Sequence, residues 1–173
     1  MRKIILQLAV SLDGFIEDAE GDFDWCFTDA DYGMIDFMQR IDSLVMGRKT
    51  YETILMMGGE SMPGFPPKKE YVVSTTLTHV EGGRILIKEK VDDFVKALKD
   101  EPGKDIWLFG GASLTTYFML HHYADEIMLA VHPILLGLGK PLFQHIDKRI
   151  QLQLLNSTRY PSGLIMLHYA LKK

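Results

Sequence analysis

Residues 106–114 read IWLFGGASL, an apolar run followed by two glycines and by a segment with helical spacing. The run Ile106–Phe109 has the length and apolar character of a strand that is covered on both faces. Gly110 and Gly111 interrupt it, and Ser113–His122 is predicted to form the helix that follows. This order of strand, glycine turn and helix is the repeating unit of an α/β sheet.

The rest of the chain repeats this alternation. Further strands are predicted at Lys3–Val10, Ser43–Met46, Tyr71–Ser74, Arg84–Ile87 and Glu126–His132, and further helices at Tyr32–Arg40, residues 51–56 and residues 91–98. The last two predicted strands, Gln151–Ser157 and Leu164–Leu171, have no helix between them and are expected to form an antiparallel edge. We therefore predict one α/β domain over residues 1–173, with three α/β/α layers and a mostly parallel central sheet.

The composition argues against several classes of protein. The 173 residues carry 19 Lys and Arg against 23 Asp and Glu, and the basic residues form no run, so a nucleic-acid partner is not expected. No apolar run approaches the ~20 residues of a membrane span. Cys26 is the only cysteine, and the histidines show no metal-binding spacing. We expect a cytoplasmic protein that acts on a small molecule, with no metal site and no membrane segment.

The turn at residues 47–50 combines features that suit an anion. Gly47 lets the backbone approach a ligand closely, and the helix that follows presents free N–H groups. Arg48 and Lys49 add two cations, and Thr50 adds a hydroxyl. The turn therefore fits a phosphate site, but it fits equally well a capped helix start with two solvated basic residues.

The turn at Gly110 and Gly111 also lies between a buried strand and a helix. Paired glycines at such a place indicate a backbone conformation that residues with side chains do not tolerate. The alternative is a plain glycine turn with Ser113 as the helix cap. Neither turn has the phosphate-loop pattern or the Gly-x-Gly-x-x-Gly pattern of dinucleotide-binding proteins.

Taken in order, several short motifs resemble the dihydrofolate reductase superfamily. They are MGRKTYE at residues 46–52, MPG at 62–64, YVVST at 71–75 and IWLFGG at 106–111. Within that superfamily the chain is similar to the reductase domain of bifunctional riboflavin-biosynthesis deaminase-reductases. This similarity is carried by SLDG at residues 11–14, ADEI at 124–127 and HPILLGLG at 132–139. The resemblance spans nearly the whole chain and implies a dihydrofolate-reductase-like fold.

The resemblance also implies NADPH as the cofactor and assigns residues to it by position. Ala9 and Ile16 would border the nicotinamide ring, and Gly110-Gly111 would form the family's cis peptide turn. The phosphate groups would be held at Gly47, Arg48, Lys49, Thr50, Ser74 and Thr75 and, at the N-terminus of the next helix, at Ala112, Ser113 and Leu114.

The position of the family's proton-relay acid corresponds to Asp31, counting back from Gly47 without a gap. Burial against an apolar wall would raise the pKa of such a carboxyl, as a proton relay requires. The alternative is that Asp31 caps the helix that begins near Tyr32, with Asp13 and Asp36 as other candidate acids.

Three positions depart from the pattern of dihydrofolate reductases. Trp25 precedes Asp31 by six residues where many of those enzymes have five, so the loop does not align without a gap. Ala130 stands where a threonine contacts the pterin, and Ser113 stands where an arginine often follows the glycine turn. NADPH is therefore better supported than dihydrofolate.

These observations together predict an NADPH-dependent reductase that transfers a hydride to a C=N or C=O group of a small heterocyclic or sugar-type substrate. The leading named activity is reduction of 5-amino-6-(5-phosphoribosylamino)uracil in riboflavin biosynthesis, and dihydrofolate reduction is the alternative. A non-catalytic NADPH-binding module is the alternative of another class. The apolar C-terminal strands and the resemblance predict a homodimer. All six histidines are interpreted as structural or surface residues, with His132 the one of most interest.

Overall fold

A computed structural model describes residues 1–172 as an α/β fold with ten strands and four helices. The strands are β1 (Ile4–Ser11), β2 (Phe15–Glu17), β3 (Ile41–Gly47), β4 (Lys69–Val73), β5 (Ile85–Ile87), β6 (Asp105–Gly110), β7 (Glu126–His132), β8 (Lys140–Pro141), β9 (Leu152–Arg159) and β10 (Ile165–Leu171). The helices are α1 (Met34–Arg40), α2 (Arg48–Met56), α3 (Val91–Asp100) and α4 (Ala112–Leu120). Within these residues, none of the helices combines the length and apolar character needed to cross a membrane.

Eight of the strands form one sheet in the order β5-β4-β3-β6-β1-β7-β10-β9. The six strands from β5 to β7 run parallel to one another, and β10 and β9 add an antiparallel edge. The remaining two strands, β2 and β8, pair with each other in a small second sheet. The predicted mostly parallel sheet with an antiparallel C-terminal edge is confirmed.

Successive apolar side chains of β1 point to opposite faces of the sheet, and each face is covered by a layer of helices. Ile4 and Leu6 enter one core cluster, in which Phe118 of α4 is fully buried. Ile5, between them, enters the opposite cluster with Phe37 of α1 and Ile54 of α2. Burying one such side chain contributes roughly 1.5–3 kcal/mol, so both faces of the sheet must be covered. The predicted three-layer arrangement is confirmed.

Three local features differ from the sequence-based prediction. Helix α2 begins at Arg48 rather than at residue 51, because Gly47 is extended and ends β3 directly before it. Helix α1 begins two residues later than Tyr32, because Tyr32 and Gly33 both have positive φ. The strands β2 and β8 were not predicted, since they have only three and two residues and show no periodicity.

The amino ends of the parallel strands carry a buried ion-pair network. The Glu126 side chain is only 4% exposed. Its carboxylate accepts hydrogen bonds from Lys3 Nζ at 2.6 Å and Arg40 Nη2 at 2.6 Å, and it contacts His168 Nε2 at 2.8 Å. Burial alone raises the pKa of Glu126, but the hydrogen bonds from these three partners outweigh it and lower the pKa to about 2. The network joins β1, α1, β7 and β10.

We expect Glu126→Gln to lower the free energy of unfolding by about 1–3 kcal/mol near neutral pH, because the buried carboxylate loses its charge-assisted hydrogen bonds with Lys3, Arg40 and His168. In the parent, a pKa lowered from 4.5 to about 2 means that this stabilisation is complete above pH 4.5 and is lost as the pH falls toward 2. Urea unfolding between pH 2 and 7 measures both effects. The variant should have a flatter pH profile than the control Glu60→Gln, and equal profiles would contradict the assignment.

Candidate functional site

The two glycine turns lie side by side at the edge where the parallel strands end. Strands β3 and β6 are neighbours, and Met46 is in register with Gly110. Helix α2 begins at Arg48 and helix α4 at Ala112, so both helices start from this edge. Each helix N-terminus has backbone N–H groups without partners inside the helix and carries a partial positive charge. The edge therefore offers two adjacent anion-binding helix ends.

A cavity of about 690 Å³ opens in front of these helix ends. It is lined by predicted cofactor residues from three successive strand ends, namely Gly47, Arg48, Lys49, Ser74, Thr75, Gly111, Ala112, Ser113 and Leu114. A second cavity of about 560 Å³ adjoins it and contains the other predicted cofactor residues, Ala9, Ile16, Thr50 and Gly110. Glu17, Lys49, Gly111 and Lys140 line both cavities and mark the junction between them. The structure brings all the predicted cofactor residues together; that they bind NADPH stays a prediction.

The polar side chains of the first cavity differ in whether they already have hydrogen-bond or ion-pair partners within the protein. Arg48 Nη1 donates to both carboxylate oxygens of Glu52, at 2.8 and 3.1 Å. Ser74 is buried, and its Oγ accepts hydrogen bonds from the N–H groups of Thr76 and Leu77, at 3.2 and 3.1 Å. Lys49 is exposed, and its Nζ has no hydrogen-bond or ion-pair partner among residues 1–172. Lys49 is therefore the cation that is free to meet an anionic ligand.

The Gly110-Gly111 turn is built without a cis peptide bond. All peptide bonds among the described residues are trans, so the expectation of a cis bond at this turn is wrong. The chain turns instead through two positive φ values, +142° at Gly110 and +96° at Gly111, which residues with a Cβ rarely adopt. Gly111 is also the N-cap of α4, and no side chain caps this helix, so the alternative with Ser113 as the cap is wrong as well.

The junction of the two cavities is formed by an ion pair between β2 and β8. Lys140 Nζ donates to the two carboxylate oxygens of Glu17 at 2.9 and 3.0 Å. Gly139 has a φ of +150°, and a side chain there would overlap the Glu17 backbone carbonyl. The two residues of the ion pair are 123 positions apart in short strands. No local sequence signal could have identified them as site residues.

The second cavity also contains residues that the sequence analysis did not assign to the site. Phe23 and Cys26 come from the loop after β2, and Phe109 comes from the end of β6. Burial, together with the negative charge of Asp24, raises the pKa of Cys26 to about 11. Cys26 is therefore an uncharged thiol at neutral pH and is no candidate for a nucleophile.

Comparison with known proteins assigns the chain to a family. The sequence model of the RibD C-terminal domain family matches residues 2–166 of this chain. The chain belongs to the RibD C-terminal domain family. A relative in Bacillus subtilis strain 168, the uncharacterised protein YyaP, is 40% identical over 97% of this chain and 94% of its own length.

Solved structures of this family and of related proteins share the fold. A putative riboflavin biosynthesis protein from Shewanella sp. PV-4 superposes with a TM-score of 0.87 and 29% identity over 99% of both chains. The deaminase/reductase of Thermotoga maritima has a TM-score of 0.73 and 14% identity, covering 99% of this chain but 57% of that one. Dihydrofolate reductase from Enterococcus faecalis, solved with NADP(H), has a TM-score of 0.72 and 16% identity over 99% of this chain and 97% of its own. The dihydrofolate-reductase-like fold is thus confirmed, and this RibD-family chain is a reductase-like domain.

Asp31 lies outside both cavities of this RibD-family chain. Its side chain is exposed, and its two oxygens accept hydrogen bonds from the N–H groups of Gly33 at 3.0 Å and Ile35 at 2.8 Å. The expectation that this carboxyl is buried against an apolar wall is wrong, because the loop before α1 projects into solvent. The N-cap of α1 is Gly33, so Asp31 lies two residues before the cap position, but its bond to the Ile35 N–H gives it the helix-start role that the capping alternative expected.

The other two candidate acids also line neither cavity. Asp36 is exposed on α1. Asp13 accepts hydrogen bonds from Ser11 Oγ at 2.7 Å, Gly137 N–H at 2.8 Å and Leu136 N–H at 3.2 Å, and these contacts, led by that from Ser11, lower the pKa of Asp13. Asp13 therefore fixes the loop before β8, which carries Lys140 to the junction.

His132 has a structural role, in agreement with the sequence interpretation. It is buried, its Nε2 accepts a hydrogen bond from the Phe27 N–H at 3.0 Å, and its Nδ1 donates to the Ala130 carbonyl at 2.9 Å. The rings of Trp25 and Phe27 pack against the imidazole with centroid distances of 5.3 and 4.9 Å. His132 thus anchors the loop that supplies Phe23 and Cys26 to the second cavity.

We expect Gly111→Ala to lower the free energy of unfolding by about 1–3 kcal/mol, because alanine is strained at φ +96°. Gly47→Ala is the matched control, since Gly47 has an ordinary φ and an added Cβ would meet its neighbours at 3.7 Å or more. Urea unfolding of the two variants provides the comparison. Equal losses would show that backbone strain does not distinguish the two glycines.

We expect Asp31→Ala to cost about 1 kcal/mol of stability and Asp31→Asn to cost less, because asparagine also caps helices. The free energy of unfolding measures this difference. Turnover of the Asp31→Asn variant tests the proton-relay hypothesis separately. Loss of turnover with unchanged NADPH binding would support that hypothesis and contradict a purely structural role.

Proposed function

We propose that this protein is an NADPH-dependent reductase of a small heterocyclic or sugar-type substrate. The single observation that carries the proposal is the pair of adjoining cavities at the carboxyl edge of the sheet. One faces two helix N-termini and a free cation, and the other is lined largely by apolar side chains. A nucleotide cofactor and a flat substrate, meeting at the junction, fit this division.

The residues of the first cavity fit a dinucleotide with a 2′-phosphate. The helix N-termini at Gly47 and Gly111 would hold the diphosphate, because their N–H groups have no partners within the helices. Lys49 and Arg48, with the hydroxyl of Thr75, would hold the 2′-phosphate, and Ala9 and Ile16 would border the nicotinamide. When bound, NADPH supplies a hydride; the chain's part is to align the two ligands and to keep water from the junction.

Two named activities are candidates for this site. The Thermotoga maritima structure is of a protein named as a 5-amino-6-(5-phosphoribosylamino)uracil reductase, and that reaction is the first to assay. Dihydrofolate reduction is the second, through the likeness to the Enterococcus faecalis enzyme. A non-catalytic NADPH-binding module would have the same first cavity, and it would bind NADPH without reducing either substrate.

We also propose that the protein forms a homodimer through β9. Every residue of this edge strand is exposed, including Leu152, Leu154 and Leu155. Beside it lies an apolar cavity of about 230 Å³, lined by Met119, Ile127, Phe143, Ile146, Ile150 and Leu152. An unpaired edge strand with exposed leucines is a surface that proteins normally cover. A second copy, with the same strand and cavity, would cover it by a twofold arrangement.

We expect NADPH to bind more tightly than NADH, because only NADPH has a 2′-phosphate for Lys49 and Arg48. Quenching of Trp25 and Trp107 fluorescence during titration with each nucleotide measures the preference. Lys49→Met should weaken NADPH binding about tenfold, the value of one charge-assisted hydrogen bond, and leave NADH binding nearly unchanged. Lys172→Met, at the opposite edge of the sheet, is the control. Failure of both nucleotides to bind would refute the proposed function.

We expect the protein to sediment as a dimer at micromolar concentration and Leu154→Arg to sediment as a monomer, because a buried unpaired cation opposes association. Analytical ultracentrifugation gives the two masses, and circular dichroism checks that the variant is folded. A monomeric parent would contradict the dimer.

A further inference from the structure

We propose that the second cavity takes a flat, uncharged ring that carries no phosphate. This inference deepens the proposed function, since it assumes that a nucleotide cofactor fills the first cavity. It narrows the substrate class, and it makes the phosphoribosylated substrate of the neighbouring structures the less favoured of the candidates.

The shape and polarity of the second cavity favour a flat apolar ring. Phe23, Ile54, Phe109 and Leu8 line it, in addition to Ala9 and Ile16, which the nicotinamide of the proposed cofactor would cover. The Phe109 ring is held in place by Trp107, whose ring centroid lies 4.5 Å away in a perpendicular arrangement. A fixed aromatic ring beside aliphatic side chains is a surface on which planar heterocycles bind.

The charge of the chain is divided between the two cavities. Residues 4–39 contain nine of the 23 acidic residues and none of the 19 Lys and Arg. This segment supplies Ile16, Glu17, Gly21, Phe23 and Cys26 to the wall of the second cavity. Asp22 and Asp24 are exposed on the same loop. The segment therefore brings the exposed carboxylates of Asp22 and Asp24 next to the lining residue Phe23 and adds no cation, while Glu17 itself is paired with Lys140.

The cations near the second cavity are already occupied. Lys140 is held by both carboxylate oxygens of Glu17. Lys49 lines both cavities, and in the proposed complex the 2′-phosphate of the cofactor would occupy it. No other lysine or arginine among residues 1–172 lines this cavity, and Glu17 and Glu52 do. Both of these carboxylates are held in ion pairs, Glu17 with Lys140 and Glu52 with Arg48. A phosphorylated substrate would thus gain no ion pair, and it would be repelled by the exposed Asp22 and Asp24 on either side of Phe23 and by the cofactor's own phosphates.

The test compares two pairs of probes that differ only in a phosphate: riboflavin with riboflavin 5′-phosphate, and pyridoxine with pyridoxine 5′-phosphate. Dissociation constants are measured on protein saturated with NADP⁺, so that the first cavity is closed to the probes. For each pair whose ring binds, we expect the phosphorylated probe to bind about tenfold more weakly, because the exposed carboxylates of Asp22 and Asp24 repel its phosphate. The difference should shrink toward none in 0.5 M NaCl.

Two double variants separate the local charge from the net charge. Asp22→Asn with Asp24→Asn should reduce the penalty on the phosphorylated probe about threefold and leave the unphosphorylated probe unchanged. Asp100→Asn with Glu101→Gln removes the same charge at the end of α3, on the opposite edge of the sheet, and should change neither affinity. These residues touch no cavity of the site.

The possible results are distinct. A phosphate penalty that is sensitive to salt and to the loop variant, but not to the control, supports the inference. Equal or tighter binding of the phosphorylated probes overturns it, as does absence of binding by both unphosphorylated rings. NADP⁺ binding is measured beforehand. Its failure refutes the proposed function by itself, and the probe pairs are then compared on the free protein, where the same wall charges predict the same order.

Discussion

The close approach of two backbone turns is the constraint on which the site depends. Gly47 ends β3 and Gly110-Gly111 ends β6, and a Cβ on Gly111 would lie 3.6 Å from the Gly47 Cα. That is ordinary van der Waals contact, and α2 and α4 start next to each other because β3 and β6 are neighbouring strands that end at the same edge. The anion-binding edge is thus a property of the backbone. The side chains around this edge, mainly Lys49, would then determine which anionic ligand binds there.

The two edges of the sheet use charge in opposite ways. At the amino edge, Glu126 has three partners, and Arg2 is bonded to Asp42 and to Ser43 Oγ. At the carboxyl edge, Lys49 is unpaired and the two glycine turns have positive φ or extended backbone. The satisfied charges hold β1 at the centre of the sheet, while Lys49, next to the paired Arg48–Glu52 and Lys140–Glu17, remains available to a ligand. The charged groups that stabilise the fold therefore lie at one end of the parallel strands, and the groups available to a ligand lie at the other end.

The parts of the structure that follow from local sequence could be predicted, and the parts that follow from long-range contacts could not. An apolar run such as Ile106–Phe109 or a glycine such as Gly47 can be interpreted from the residues next to it. The sheet and both glycine turns could therefore be predicted from the sequence. The Glu17–Lys140 pair joins positions 123 apart, and no spacing indicates it. Asp31 fits both a cap and a proton relay by position, and only its exposure and its bonds to Gly33 and Ile35 distinguish them. The Gly110-Gly111 turn was located correctly, but the trans bond with two positive φ values is a detail that residue types alone do not determine.

The central place of β1 has a consequence for how the protein is made. Ile4 is in register with Ile106 on one side, and Ile5 with Glu126 on the other. The first strand to leave the ribosome therefore has no sheet partner until more than ninety further residues have been synthesised. Its apolar residues stay exposed during that time, which is the situation in which nascent chains engage chaperones and in which folding is slow. A shortened chain that ends before β7 would contain both glycine turns and would still leave one side of β1 without its neighbour.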